Sequence, residues 1–415
     1  MTGWVGRRLI ASFVCGAPFL LGAMLATTGP ARAATVVSVP SVTPSLGPYL
    51  LGVPFTLALA EPSGSVPAVA YQYQIGTGPV GRITASGGTA TLSVTLTARS
   101  TLIQIEGVAA DGTVGPGYQA YFDARAATLR ADKDIDGDGR PDLLTVGGTA
   151  GMPSGVWQAL GTGRKGVLRT PATFVSGRDT TWYDGAQVIM GDFLGNNLQD
   201  ALFYWPSGDR AGSGAILSGS GDGSPLPGGG VSIPAGTLAD GNGNNPLQLA
   251  NLYDAHQVGL DDLVGVYGDP VNGYGLNYLP NGFAPGVYLP LTMSVASPDG
   301  TPWNQWTLAT ARVSSGTAMY LWNSTSGALY LWEKVVATAN PDWMTASITY
   351  TQYKISSHWN KAAPVSQLEA ADFTGDGIPD LWTVGADGTV RAYIVTDLSL
   401  RHPAEVQALK PQSLR

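Results

Sequence analysis

The distribution of apolar positions divides the chain into two unequal parts. From 34 to about 126, apolar and polar residues alternate in runs at 55–59, 70–75, 90–96, 101–108 and 118–122, each bounded by Gly or Pro turns. A period of two sends successive side chains to opposite faces of a strand. Frequent turns between such runs predict a two-sheet sandwich. From about 127 onward, short apolar runs follow acidic turns. Anchored on the residue that opens each run, they begin at Asp142, Asp200, Asp262 and Asp380. Met319 fills the gap when 326–332 is aligned on 387–393. The five anchors are thus evenly spaced along the chain. A period a little above 50 with several strands per unit predicts the blades of a β-propeller, not a helical solenoid. Sustained 3.6-residue periodicity is hard to find, so the predicted class is all-β: a sandwich at 34–126 and five repeated units over 127–415.

Composition agrees, with 56 Gly, 29 Pro and 13% charged residues. Positions 1–33 read as a secretory signal peptide, with Arg7 and Arg8 ahead of an apolar core from Leu9 to Leu25 and Ala31-Arg32-Ala33 as the cleavage site. The paired arginines are ordinary for such a segment and need not mean twin-arginine export. Cleavage would leave 34–415, with no span long and apolar enough to cross a bilayer. The predicted location is extracellular. The one cysteine, Cys15, lies in the signal segment, so a mature chain has no disulfide and must rely on its core, sheet hydrogen bonds and bound metal. Losing Arg7, Arg8 and Arg32 with no acid takes the net charge from −8 to −11. That balance argues against nucleic acid and anionic membrane as partners and suits cations.

The candidate chemistry sits in the acidic turns. Asp134, Asp136, Asp138 and Asp142 occupy positions 1, 3, 5 and 9 of a nine-residue loop, with the Arg140 carbonyl at position 7 and Gly139 at the sharp turn. So many carboxylates repel one another without a cation, and Ca²⁺ is the expected occupant. An EF-hand would need a Glu at position 12 and a following helix; here Thr145 stands in a strand-like run. The loop recurs with Asp372, Thr374, Asp376, Ile378 and Asp380, which offer a weaker set of the same kind. A second turn keeps Asp192, Asn196 and Asp200 but has Leu194 at position 3, so weak or absent metal is expected. The third, Asp254 to Asp262, has His256 and Val258 where oxygens belong. The fourth has Ser314, Ser315 and Thr317 and no carboxylate.

The Asp-x-Asp-x-Asp-Gly-x-x-Asp-Leu motif, with its regular recurrence, resembles the FG-GAP/VCBS repeats of integrin-type β-propellers, and the ending Asp-Phe-Thr-Gly-Asp-Gly-Ile-Pro-Asp-Leu-Trp resembles secreted bacterial members. The resemblance implies one Ca²⁺ in each intact loop, held by the residues named for the first and fifth. Integrin-type rings usually have seven blades, so five units imply a smaller ring or a missing neighbour. The end of the first part, a strand, Ala110-Asp-Gly-Thr-Val-Gly-Pro and an aromatic strand, resembles bacterial immunoglobulin-like or fibronectin-like modules.

Catalytic constellations are sparse. His256, His358 and His402 show no metal-ligand spacing, no Gly-x-Ser-x-Gly elbow occurs, and Gly161 to Gly166 matches a dinucleotide fingerprint without its helix. The Asn323 sequon carries little weight. Ten aromatic residues between Trp303 and Trp359, Trp343 among them, could stack on sugars; their i, i+2 spacing favours packing instead. The expected function is a secreted, calcium-binding, non-catalytic protein for adhesion or ligand binding, with a protein or glycan partner. The alternative is an extracellular carbohydrate-active enzyme, a lyase or hydrolase, which needs a cluster of carboxylates or a Tyr/Arg/His set outside the calcium loops; two of Asp184, Asp209, Asp222, Glu333 and Glu369 brought together in a cleft would favour it.

Overall fold

The computed structural model describes residues 37–148, 151–175, 179–226, 230–282, 284–340, 342 and 344–415. The signal segment, Cys15 and Trp343 lie outside them. The described residues are all-β, with three short 3-10 turns and no α-helix. No helix among them is long and apolar enough to cross a membrane.

The first part holds eight strands: β1 (Ser41–Pro44), β2 (Tyr49–Leu50), β3 (Pro54–Ala60), β4 (Ala70–Ile75), β5 (Gly81–Thr84), β6 (Thr89–Thr95), β7 (Ser100–Val108) and β8 (Val114–Arg125). They form a sheet β1-β3-β6 and a sheet β2-β8-β7-β4-β5. The alternation of the sequence is expressed directly: in β3 and β6, Leu57, Leu59, Leu92 and Val94 are buried while their neighbours are exposed. Those residues meet Tyr71, Ile103, Ile105 and Phe122 in one core. Each such side chain contributes about 1.5–3 kcal/mol by leaving water.

The second part is a succession of antiparallel units. The first contains β9 (Leu143–Val146), β10 (Val156–Ala159), a hairpin of β11 (Gly161–Arg164) and β12 (Val167–Leu168), and β13 (Thr173–Phe174). The Gly161–Arg164 stretch is therefore a hairpin arm. The second unit is β14 (Gln187–Gly191), β15 (Asp200–Tyr204), β16 (Gly214–Leu217) and β17 (Gly230–Ile233). The third is β18 (Gln248–Tyr253), β19 (Asp262–Asp269), β20 (Gly273–Leu279) and β21 (Leu291–Met293). The fourth is β22 (Trp306–Val313), β23 (Gly316–Asn323), β24 (Ala328–Asn340) and β25 (Thr345–Ser356). The fifth is β26 (Val365–Ala371), β27 (Asp380–Gly385), β28 (Thr389–Thr396), β29 (Glu405–Ala408) and β30 (Gln412–Ser413). Met319 lies inside β23. A short parallel pairing of β21 with β25 joins units three and four into one eight-stranded sheet, and its end strands, β18 and β22, come back into contact.

Five hydrophobic clusters link the units in a closed circuit. Leu144 and Val156 pack with Met190 and Phe203 between units one and two, and Leu202 and Ile216 with Leu249 and Leu263 between two and three. Val264 and Leu276 meet Leu308 and Trp332 next, and Tyr320 and Leu331 then meet Leu381 and Tyr393. The last cluster returns to the start: Trp382 and Val390 of unit five pack on Leu143 and Ala159 of unit one. Glutamine side chains stitch the first strands together. Gln187 accepts from the Leu249 N–H (3.1 Å), Gln248 from the Leu308 N–H (3.1 Å), and Gln367 donates to the Leu144 carbonyl (2.9 Å). The aromatic-rich stretch is mostly spent here. Trp303, Trp306, Tyr320, Trp322, Trp332 and Trp359 are buried, and Trp332 stacks on Tyr350 at 3.6 Å.

Unit one differs from the rest. In units two to five a first strand leads into the loop, whereas residues 126–133 form none, and β9 is left at the edge of its sheet. The segment is tied to the second loop instead: the Ala126 N–H donates to the Asn196 carbonyl (3.1 Å), the Arg130 N–H to that of Asn197 (3.0 Å), and the Asn197 amide to the Ala126 carbonyl (3.0 Å).

Candidate metal centre

The first, second, third and fifth loops each open with an aspartate that closes the turn on itself. Asp134 accepts from the N–H groups of Gly137 (2.6 Å) and Gly139 (3.0 Å), and Asp372 from Gly375 (2.7 Å) and Gly377 (2.9 Å). Asp192 takes Asn196 and Asn197, and Asp254 takes Val258 and Gly259, at 2.7–3.0 Å. To aim those amides inward, position 6 turns left-handed in all four loops, with φ of 82° at Gly139, 62° at Asn197, 82° at Gly259 and 85° at Gly377. Glycine and asparagine are the residues that adopt this conformation at little cost.

The closing aspartate reaches further. Asp142 accepts from Ile135 N–H (2.8 Å) within the loop and from Gly161 N–H (2.7 Å). Asp200 bridges Leu194 to Gly219, Asp262 bridges His256 to Asn281, and Asp380 bridges Phe373 to Val395, all at 2.8–3.2 Å. One fully buried carboxylate thus ties the loop to the chain near the end of the unit's third strand. This physical task accounts for the aspartate at position 9 of the second and third loops, where positions 3 and 5 carry no acid.

Burial acts on these groups in one direction. It pushes Asp142 and Asp380 up from the usual value of 3.8 to about 7, and the neighbouring loop acids add to the push. Asp192 rises to about 7 by burial and by the charge of Asp200, and Asp200 itself to about 6. Asp134 is raised by burial as well. A bound cation would reverse the trend.

The loops differ in what lies between the two framing aspartates. In the first, one oxygen each from Asp134, Asp136 and Asp138 lies within 4.8 Å of the others, and among the described residues no other loop forms such a three-carboxylate group. Asp142 stands outside that group. Arg140 sends its guanidinium to Asp138 (3.3 Å). In the fifth loop Thr374 donates to Asp372 (3.3 Å) and Asp376 accepts from the Ile378 N–H (2.9 Å). In the second, the Asn196 amide donates to Asp200 and Ser218 (both 3.1 Å), so its NH₂ is engaged by protein. In the third, the His256 Nδ1 lies 2.8 Å from the Asp262 carboxylate, which also accepts from the Tyr278 hydroxyl (2.7 Å). The fourth is a two-residue hairpin turn with Val313 paired to Gly316. His358 and His402 are exposed, and Asn323 is buried with its amide donating to Thr301.

Two functional-looking residues escaped the sequence reading. Lys133, just ahead of the first loop, is buried with φ of 59°. Its ammonium donates to the Thr310 carbonyl (2.8 Å) and lies 3.5 Å from Asp132 and 3.9 Å from Glu369. Asp132 accepts from the Tyr253 hydroxyl and the Arg312 N–H, both at 3.0 Å. The segment that forms no strand thereby binds units three, four and five at the axis. A readable signal existed in the glutamines, since Gln187, Gln248 and Gln367 fall five or six positions before the first aspartate of their loops.

Of the five acids considered for catalysis, Glu369 is the one that lines the axial cavity. Asp184 accepts from Ser154 and Asp222 from the Ser224 N–H, both in exposed turns.

No family model matches the chain, and no curated protein matches it. Among solved structures, an auxiliary nutrient binding protein from Bacteroides ovatus aligns over 87% of this chain and 82% of that one, at 10% identity and a TM-score of 0.26. That similarity is too low to transfer a fold or a ligand.

Proposed function

We propose that the chain is a secreted, calcium-stabilised, non-catalytic ligand-binding protein: a five-bladed β-propeller of FG-GAP/VCBS type behind an immunoglobulin-like β-sandwich. The observation that carries this reading is the convergence of Asp134, Asp136 and Asp138 in a loop whose frame recurs in the second, third and fifth units of a closed circuit. Three carboxylates so close favour a hard cation, although Arg140 (3.3 Å) and Arg169 (4.0 Å) stand beside Asp138 and the charge of Arg130 acts on Asp134. The signal-like segment at positions 1–33 supports export. Ca²⁺ would be structural, adding stability by binding the folded state alone, in a mature chain without cysteine. The partner, a protein or glycan outside the cell, would meet the loops gathered at the ends of the ring. Among the described residues, Glu369 alone of the five acids considered lines the axial cavity, and it is tied to Lys133, which favours the binding reading over the carbohydrate-active one. The test is to place calcium-loaded residues 34–415 on an array of extracellular polysaccharides and assay the same glycans for new reducing or unsaturated ends. Binding without cleavage is expected, and cleavage products would overturn the non-catalytic reading.

A further inference from the structure

The ring encloses an axial cavity of about 380 Å³. Small-molecule sites span ~300–1,000 Å³, so the space suits one small ligand. It is bounded by the first strands of units two to five and, where unit one lacks that strand, by Thr145 and Val146 of β9. We infer that this cavity binds a neutral, polyhydroxylated small molecule, such as a monosaccharide or the terminal sugar of a glycan. The inference deepens the ligand-binding reading above and rests on it.

Thr145 is the first reason. Thr145 is one of the residues that line the cavity, it is 2% exposed, and its buried Oγ1 has no hydrogen-bond partner. An orphaned buried hydroxyl costs about 1–3 kcal/mol, which a ligand hydroxyl would recover. The strand that carries it is a sheet edge facing the same space. The amides are the second reason. Gln187 uses its carbonyl oxygen on the Leu249 N–H (3.1 Å), and Gln367 uses its NH₂ on the Leu144 carbonyl and Glu369 (both 2.9 Å). Among the described residues, the Gln187 NH₂ and the Gln367 carbonyl have no protein partner, which leaves one donor end and one acceptor end at the wall. Charge is the third. Glu369, 15% exposed at its side chain, faces Lys133, and Asp132 backs the same ammonium. Each charge on this wall thus already has its opposite at 3.5–3.9 Å, so a charged ligand has to compete with a pair in place whereas a neutral one does not. A hydroxyl both donates and accepts, which matches a wall of mixed polarity.

The test uses residues 34–415 in calcium with D-glucose, D-galactose, D-mannose, L-arabinose and myo-inositol as probes, read by saturation-transfer NMR and calorimetry. Glucuronate and glucosamine serve as charged counterparts. At least one neutral probe should bind saturably, and the charged ones about ten-fold more weakly or not at all. Thr145→Val should weaken binding about ten-fold while leaving the melting temperature equal or higher, because the orphaned hydroxyl is gone. Gln367→Glu should weaken it too. No binding by any neutral probe, equal or tighter binding of the charged ones, or indifference to Thr145→Val would overturn the inference. A calcium-dependent melting shift that survives such a failure leaves the loop assignment standing, and glycan-array binding that survives Thr145→Val moves the ligand site elsewhere on the ring.

Discussion

Asp134 and Asp254 each hold two amides of their own loop, and Asp142 and Asp262 each bridge their loop to the chain beyond it. Between these framing residues, the first and third loops part company. The first crowds Asp134, Asp136 and Asp138 within 4.8 Å, and the third brings the His256 ring and the Tyr278 hydroxyl onto Asp262. The first loop gathers three carboxylates with Arg140 and Arg169 at their exposed side, and the third meets its buried closing aspartate with side-chain donors. The frame of the turn is thus held by hydrogen bonds common to both, and the acids at positions 3 and 5 add one exposed bond each, Asp136 accepting from the Asp138 N–H (3.1 Å) and Asp138 from the Arg140 N–H (3.0 Å). Surplus buried or crowded charge is what a cation site looks like when the frame does not need it.

The largest effect should come from the frame, and it should be alike in both loops. Asp142→Ala strands two buried N–H groups and Asp262→Ala strands the buried Asn281 N–H and Tyr278 hydroxyl, so each should cost about 3 kcal/mol in denaturant unfolding. If Asp262→Ala were neutral while Asp142→Ala was severe, the two loops would not share a frame. A smaller effect separates them by pH. Burial raises Asp142 and Asp380 to about 7 against 3.8 for an ordinary aspartate. The folded state therefore holds protons that the unfolded state has lost, and this stabilisation is complete below about pH 4 and lost as pH rises through about 7. In chelator, melting temperature should fall from pH 5 to pH 8. With calcium, which favours the ionised forms, the fall should shrink or reverse. A chelated protein that becomes more stable over that range would contradict the burial argument.

Much of the fold could be read in the sequence because it is written locally. Alternation at 55–59 and 90–96 becomes β3 and β6 with Leu57 and Leu92 inward, and the i, i+2 tryptophans become packing between units. The spacing of Asp200, Asp262 and Asp380 marks the starts of β15, β19 and β27. The rest depends on what stands opposite in space. Nothing around Ala127 announces that a first strand is missing there, since the amides of that segment go to Asn196 and Asn197, far along the chain. Likewise Lys133 looks like a surface lysine until Thr310, Asp132 and Glu369 surround it. Of the candidate site, the acids at positions 1, 3 and 5 of the first loop were legible as a group. The position-9 aspartates were legible as important, but their bonds to the chain near the end of the third strand were not, because those partners lie 15 to 19 residues further along.

The most direct measurement is thermal unfolding of residues 34–415 with calcium and with chelator, with bound metal counted in parallel, for the parent chain, Asp136→Ala/Asp138→Ala and His256→Asn. Calcium at a hundred times its dissociation constant stabilises by about 2.7 kcal/mol per site. The parent and His256→Asn should bind calcium and melt higher with it, whereas the double variant should lose one bound ion and much of that shift while losing far less in chelator, where only exposed bonds of the turn are missing. Equal losses with and without calcium, or a parent that binds no metal, would contradict calcium at the first loop.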